Sequence, residues 1–365
     1  MVNNIVSVVV LLGVLIFAHE LGHFLMAKRS GVGVLKFSLG FGPKIIGKKI
    51  GETEYLLSLI PLGGYVKLLG EAPEEGLSEE DSRRSFLNQP VLKRIAIVAA
   101  GPLFNMLLAL LIFTVVNMAG IPVLTTEVGG LQPGSAAAEA GLREGDILVD
   151  IAGTAVKKWD DISEIVSASG GSPLRITVQR GGTSQEVTVT PKLTTGANVF
   201  GETVAAYKIG ISPAPRTFVE RLNPVAAFWA GLKQTGTICR LTVVSIVKMF
   251  QGVVSPKTLG GPILIAQIAG AQVREGIIPF VLFMALLSIN LAVLNLLPIP
   301  ILDGGHLLFY LIELVTGREV NIRWREMAQQ IGFVLLALLM LFVFVLDIGR
   351  LNIEVIDRII KYVTG

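Results

Sequence analysis

Two histidines four residues apart, with a glutamate beside the first, stand in an otherwise apolar run: His19-Glu20-Leu21-Gly22-His23. On a helix, positions i and i+4 share a face, so two imidazoles can grip one ion. Two nitrogen ligands suit zinc, and Glu20 can take a proton from a water that the metal has acidified toward a pKa of about 7. The chain holds 3 histidines, so chance rarely produces this spacing. In a bilayer, ionisable groups cost roughly 2.5–3.5 kcal/mol each on insertion scales. A shared metal gives each of them a partner.

A hydrolytic zinc takes a third protein ligand and keeps one position open. The remaining histidine is His306, in the stretch Asn295-Leu-Leu-Pro-Ile-Pro-Ile-Leu-Asp303-Gly-Gly-His306. Asp303 and His306 are the two candidates. Two imidazoles with one carboxylate favour Asp303. A plainer reading makes Asp303 a helix cap and His306 an interfacial residue. Pro298, Pro300, Gly304 and Gly305 break the helix here. Lipid tolerates such backbone only where it is buried in protein or lines a cavity.

These residues need elements to hold them. Only 16% of the 365 residues are charged, 52% are hydrophobic, and the mean hydropathy is +0.67. Soluble domains carry roughly a quarter charged residues, so several segments belong in lipid. The net charge of +3 points to no nucleic-acid partner, and the lone Cys239 excludes an intrachain disulfide. A crossing needs about 20 apolar residues. Runs of that kind stand at Ile5 to Ala27, Ile95 to Met118, Pro279 to Leu297 (running on toward Tyr310) and Ile331 to Leu346. The first has no basic residue ahead of it and no small-residue cleavage site, so it reads as a retained span.

Basic residues set the orientation. Lys28, Arg29, Lys36, Lys44, Lys48, Lys49, Arg83, Arg84, Lys93 and Arg94 lie between the first two runs, and Arg318, Arg323 and Arg325 between the last two. Both segments are expected on the cytoplasmic side, with both termini and the long stretch from Gly120 to Ile278 on the other.

Residues 121–192 are polar and punctuated by Gly and Pro. Strands fit Ile147 to Ile151, Leu174 to Gln179 and Gln185 to Val189; helices fit Ala136 to Gly141 and Trp159 to Ala168. From Arg221 to Phe250, Lys233, Arg240 and Lys248 recur on one helical face, which predicts a helix lying on the membrane surface rather than a fifth span. Leu35 to Leu69 reads as strands and tight turns. Gly101 and Pro102 suggest close helix approach, Asn105 an interhelical hydrogen bond, and Gly260-Gly261-Pro262 a bend into a further helix.

HELGH, PLGGYV (Pro61 to Val66), AAGPLFN (Ala99 to Asn105) and SINLAVLNLLPIPILDGGH (Ser288 to His306) together resemble the site-2 protease family of intramembrane zinc metalloproteases, in particular its bacterial regulator of sigma-E type. The resemblance covers nearly the whole chain. It implies that Asp303 is the third zinc ligand beside His19 and His23, that Glu20 is the catalytic base, and that Asn295 and Asn290 contact substrate. It makes Leu35 to Leu69 a re-entrant β-hairpin whose edge, with Gly63, Gly64 and Tyr65, pairs with an extended substrate, a mode that strand addition supports. It identifies residues 121–215 as a single PDZ domain, carried by Pro133-Gly134-Ser135-Ala136, Ala140-Gly141-Leu142 and Gly145-Asp146. Relatives with two such domains gate by a pair, which this chain lacks room for.

The expected architecture is therefore a polytopic α-helical membrane protein with four transmembrane helices, a re-entrant β-hairpin and one inserted α+β PDZ domain. Its parts are residues 1–120 and 279–365 (membrane), 121–215 (PDZ) and 216–278 (an interfacial amphipathic helix region). The resemblance implies a multi-pass protein of the bacterial inner membrane, with the zinc site toward the cytoplasm and the PDZ domain outside. Its expected partners are the lipid bilayer, single-span membrane protein substrates such as anti-sigma factors or remnant signal peptides, and peptide C-termini at the PDZ domain. The rival is a membrane scaffold with a structural metal. A transporter is disfavoured because no inverted repeat is visible.

Overall fold

The computed structural model describes residues 2–71 and 78–350. In chain order, α1 (Val2–Arg29) leads to long strands β1 (Val34–Ile50) and β2 (Thr53–Leu68), short α2 (Glu79–Arg84) and α3 (Val91–Ala119). Next come β3 (Ile121–Leu124), β4 (Val128–Leu131), α4 (Ala136–Glu139), β5 (Ile147–Ile151), β6 (Thr154–Ala155), α5 (Trp159–Ala168), β7 (Leu174–Arg180) and β8 (Thr183–Val189). Strands β9 (Lys192–Ala197), β10 (Thr203–Lys208), β11 (Ile211–Pro213) and β12 (Thr217–Glu220) precede helices α6 (Pro224–Phe250), α7 (Pro262–Glu275), α8 (Ile277–Asn295), α9 (Asp303–Thr316) and α10 (Ile322–Arg350). The far C-terminal residues, expected on the side of the long central stretch, lie outside the described residues.

Contacts divide the chain into two units: Met1–Val115 with Phe228–Ile246 and Ser255–Gly365, and Val116–Ala227 with Val247–Val254. The segments Val6–Arg29, Val91–Ala119, Ile277–Asn295 and Ile322–Arg350 are long and apolar enough to cross a bilayer. This is a multi-pass membrane protein. One boundary departs from expectation. The third span does not run on to Tyr310: α8 ends at Asn295 with a cap at Leu296, and α9 starts afresh at Asp303. Pro298 and Pro300 cannot donate backbone hydrogen bonds, so the helix cannot continue.

Residues 36–39 of β1 pair with both 54–57 and 64–67 of β2. They therefore form the middle of a small sheet, and residues 64–67 form an edge. The sheet packs on α1 through Phe37, whose ring lies 6.1 Å from Phe17 and 5.3 Å from Phe24. At the turn between the strands, Glu52 accepts hydrogen bonds from Lys28 and Arg84. The Lys28 bond, joined by Arg84, holds its carboxyl below the usual carboxylate range.

Helix α6 forms where the basic periodicity places it, capped by Asn223, whose side-chain oxygen accepts from the Ala226 amide at 2.9 Å. Its middle is not left to a membrane surface alone. Ile238, Cys239 and Ile246 pack with Ala109 and Phe113 of α3 and Ala285, Ile289 and Val293 of α8. Helix α7 follows the Gly-Gly-Pro bend. Asp347 of α10, 1% exposed, caps it by accepting from the amides of Gly261, Ile263 and Leu264.

The second unit holds a four-stranded antiparallel sheet in the order β6-β5-β7-β8. Leu148, Ile151, Ile176 and Val178, with a register shift between Leu148 and Asp150, pack with Ile162 and Val166 of α5. Pairing of β12 with β3 closes the unit at its base. A groove of about 570 Å³ runs between α5 and residues 207–211.

Candidate metal centre

Three chain segments meet at the cluster. His19, Glu20 and His23 come from α1. Helix α3 touches α1 backbone to backbone: a Cβ on Gly22 would lie 2.2 Å from the Ala100 carbonyl oxygen. Small residues permit such approach between membrane helices, as the Gly101-Pro102 pair suggests. Asp303 arrives at the first position of α9. Its neighbours Gly304 and Gly305 press that helix onto the preceding loop, where a Cβ would lie 2.1 Å from the Leu297 oxygen and 2.3 Å from the Ile299 oxygen.

The side chains of His19, His23 and Asp303 converge. His19 Nε2 and His23 Nε2 stand 3.2 Å apart, His19 Nε2 is 3.2 Å from Asp303 Oδ2, and His23 Nε2 is 3.6 Å from Asp303 Oδ1. Donors 2.0–2.1 Å from a tetrahedral zinc are separated by about 3.3 Å, so the triangle has the right size. His23 Nδ1–H donates to the Ile97 carbonyl at 2.9 Å. That bond fixes the tautomer and turns the Nε2 lone pair inward. Asp303 Oδ2 is buried without a hydrogen-bond partner among the described residues, a costly state that a bound cation relieves. His19 Nδ1 is likewise buried and unpartnered. The donor set fits zinc.

A cavity of about 270 Å³ opens beside the triangle, lined by Glu20, Gly64, Tyr65, Val66 and Glu71 among others. Gly64, Tyr65 and Val66 line it together with Glu20, so the edge of β2 runs past the catalytic candidate. Gly64 is held to its size: a Cβ there would lie 3.0 Å from Glu20 Cγ. Of the expected substrate-contacting residues, Gly64 and Tyr65 line the cavity, whereas Gly63 packs under the Phe41 ring. Asn290 accepts instead from the Thr242 hydroxyl of α6 at 2.8 Å. Asn295 ends α8 and lies outside the cavity lining. Asn105 makes its interhelical bond through its backbone, whose carbonyl accepts from Ser288 at 2.7 Å; its side-chain oxygen is buried without a hydrogen-bond partner among the described residues.

His306 lines the same cavity but is not part of the triangle. Sequence reasoning did not single out Glu71, Tyr310 or Arg325 for this wall. Tyr310 lies under two guanidinium groups, Arg94 at 5.0 Å and Arg325 at 5.8 Å from the ring centre. Arg94, 3% exposed, also pairs with Glu313 at 2.5 Å. Their sequence separations leave no local signal.

Residues 7–339 match peptidase family M50. A relative from Campylobacter jejuni is 37% identical over 345 residues, covering 94% of this chain and 93% of that one. One from Clostridium acetobutylicum is 36% identical over 345 residues, covering 94% and 97%. One from Brucella suis is 37% identical over 362 residues, covering 95% and 96%. All three carry zinc metalloprotease names. Among solved structures, the PDZ domain of an SdrC-like protein from Listeria monocytogenes aligns at 20% identity with a TM-score of 0.19, covering 25% of this chain and 85% of that one.

Proposed function

Because this chain belongs to peptidase family M50 and is a membrane-embedded zinc metalloprotease, we propose that it cuts peptide bonds inside the membrane-spanning segments of single-span proteins. In this reading His19, His23 and Asp303 hold the zinc, and Glu20 is the general base. The observation that carries it is the convergence of a zinc-sized donor triangle, a carboxylate and a strand edge in one cavity.

When bound, zinc supplies Lewis acidity to water and to the substrate carbonyl. The chain's own residues do the rest. Glu20 takes a proton as the water oxygen bonds to the carbonyl carbon, and returns it to the amide nitrogen as the C–N bond breaks. A helix in lipid hides its peptide bonds in internal hydrogen bonds, so the substrate must unwind before attack. The edge at residues 64–67, which no further strand pairs among the described residues, offers an extended segment backbone partners beside Glu20. Helix-breaking residues in the substrate favour cleavage for the same reason. Asn295 contacts the unwound segment from the end of α8.

The basic segments argue for a cytoplasmic zinc site in a bacterial inner membrane, with residues 121–215 outside as a PDZ domain. The family resemblance implies substrates already trimmed outside, such as anti-sigma factors or signal-peptide remnants. The groove beside α5 suits a peptide C-terminus. The direct test incubates purified enzyme with single-span substrates, with and without zinc. Cleavage within the spanning segment that chelator stops and zinc restores is expected. Zinc-loaded enzyme that leaves every span intact contradicts the reading.

A further inference from the structure

His306 has no task in the mechanism above, yet it sits where the chemistry happens. It follows Asp303 by three residues and precedes Tyr310 by four, so all three share one face of α9, and all three line the cavity with His19, Glu20 and His23. Its ring makes no hydrogen bond to any described residue, and neither nitrogen is among the sealed, unpartnered atoms. The imidazole therefore opens onto the cavity. Its backbone is held firmly, because Gly304 and Gly305 are pressed against residues 296–300. Arg325 lines the same cavity and lies over the Tyr310 ring, 5.8 Å from its centre.

An N–H donor on the cavity wall beside the His19–His23–Asp303 triangle but outside it meets a specific need. As water adds to the carbonyl carbon, the C=O π electrons move onto oxygen, and the negative charge that forms needs donors already aimed at it. Glu20 takes the water's proton at this moment and commits it to the amide nitrogen, so the oxygen needs another donor. We propose that His306 is a further catalytic residue, donating an N–H hydrogen bond to the carbonyl oxygen of the scissile bond as charge develops there. Neither proton nor electrons are transferred to His306. The proposal rests on the assignment of His19, His23 and Asp303 as the zinc ligands.

The test uses full-length enzyme in detergent and compares wild type with His306→Ala and His306→Gln, the latter keeping an N–H donor. Three quantities are read: zinc per chain, kcat and KM on a single-span substrate, and the inhibition constant of a phosphinic peptide whose tetrahedral anion mimics the charged state. His306→Ala should keep its zinc and KM, lose about 10²–10³ in kcat, and lose affinity for the phosphinic peptide by the same factor as kcat/KM. His306→Gln should recover part of both. Unchanged kcat and phosphinic affinity in His306→Ala would overturn the proposal. Loss of zinc from His306→Ala would overturn it differently, by making His306 a ligand. Full zinc and full cleavage in Asp303→Ala would overturn the ligand assignment beneath it, a result told apart by the variant that produces it.

Discussion

The backbone of Gly101 lies directly against the His23 imidazole, so that a Cβ placed on it would stand 2.3 Å from Nε2. The same Cβ would stand 2.8 Å from His19 Cε1. Helix α3 thus forms the wall that presses both rings into the triangle. Even a methyl group must move a ligand.

Gly101→Ala is therefore expected to weaken zinc binding rather than merely to soften helix packing. Overpacking costs typically about 1–3 kcal/mol, and disturbing a ligand's support lowers metal affinity about 10–100-fold. Chelator competition on purified protein measures it. Gly13→Ala is the control, because nothing lies within 4 Å of a Cβ there. Equal zinc affinities for the two variants would mean that α3 does not brace the site.

Glu20→Gln separates binding from chemistry. The side chain lies beside the donor set but outside it, so zinc content should stay at the wild-type level. Cleavage should fall by about 10²–10⁴, the range typical of a lost general base. Asp303→Ala should instead lose zinc and cleavage together. Metal analysis and a cleavage assay on both variants decide the matter. A Glu20→Gln enzyme working near the wild-type rate would remove Glu20 from the mechanism.

The second unit carries its own pH dependence. Asp146, fully buried, accepts from Arg180 Nε at 2.7 Å, Arg180 Nη2 at 2.6 Å and the Arg143 amide at 2.8 Å. Burial alone would push its carboxyl up, but the Arg180 and Arg143 bonds outweigh it and hold it below the usual carboxylate range. The unfolded chain, with an ordinary Asp near 3.9, then binds the proton more readily than the folded one. The stabilisation is complete above that unfolded value and is lost as pH falls through the lower folded one. Hydrogen exchange of β5 and β7 in the full-length protein should show protection falling on acidification below about pH 4. Asp146→Asn should be less protected at neutral pH and flatter with pH; an unaltered acid profile would show that another group titrates.

How far the sequence reaches depends on the range of the interaction. His19, Glu20 and His23 were legible because one helix fixes their face whatever else the chain does. Leu174 to Gln179 and Trp159 to Ala168 read correctly as strand and helix, since alternation and breakers act locally. The helix α6 was legible too, but not its docking on α3 and α8, and Asn290 is consequently tied to Thr242. The capping of α7 by Asp347, 84 residues from Ile263, has no sequence signature. The same holds for Arg325 at the cavity. Such contacts exist only after distant helices have packed.

The last prediction concerns residues 121–215 as a filter. Removing 121–192 alone would cut the unit in its middle, because β11 pairs with β4 and β12 with β3. The proper joint lies where the Thr125 amide donates to the Arg216 carbonyl at 3.0 Å, at the end of the β3–β12 ladder. Replacing residues 126–215 with an Asn-Gly turn should close that ladder as a two-residue hairpin and leave the triangle, built from residues 19, 23 and 303, intact. If the unit excludes bulky ectodomains, the shortened enzyme should still cut pre-trimmed substrates and begin to cut full-length ones that the intact enzyme spares. The comparison is one substrate with and without its ectodomain, against both enzyme forms. A shortened enzyme that stays folded and zinc-loaded yet cuts neither would show that the unit delivers substrate to the membrane site instead of excluding it.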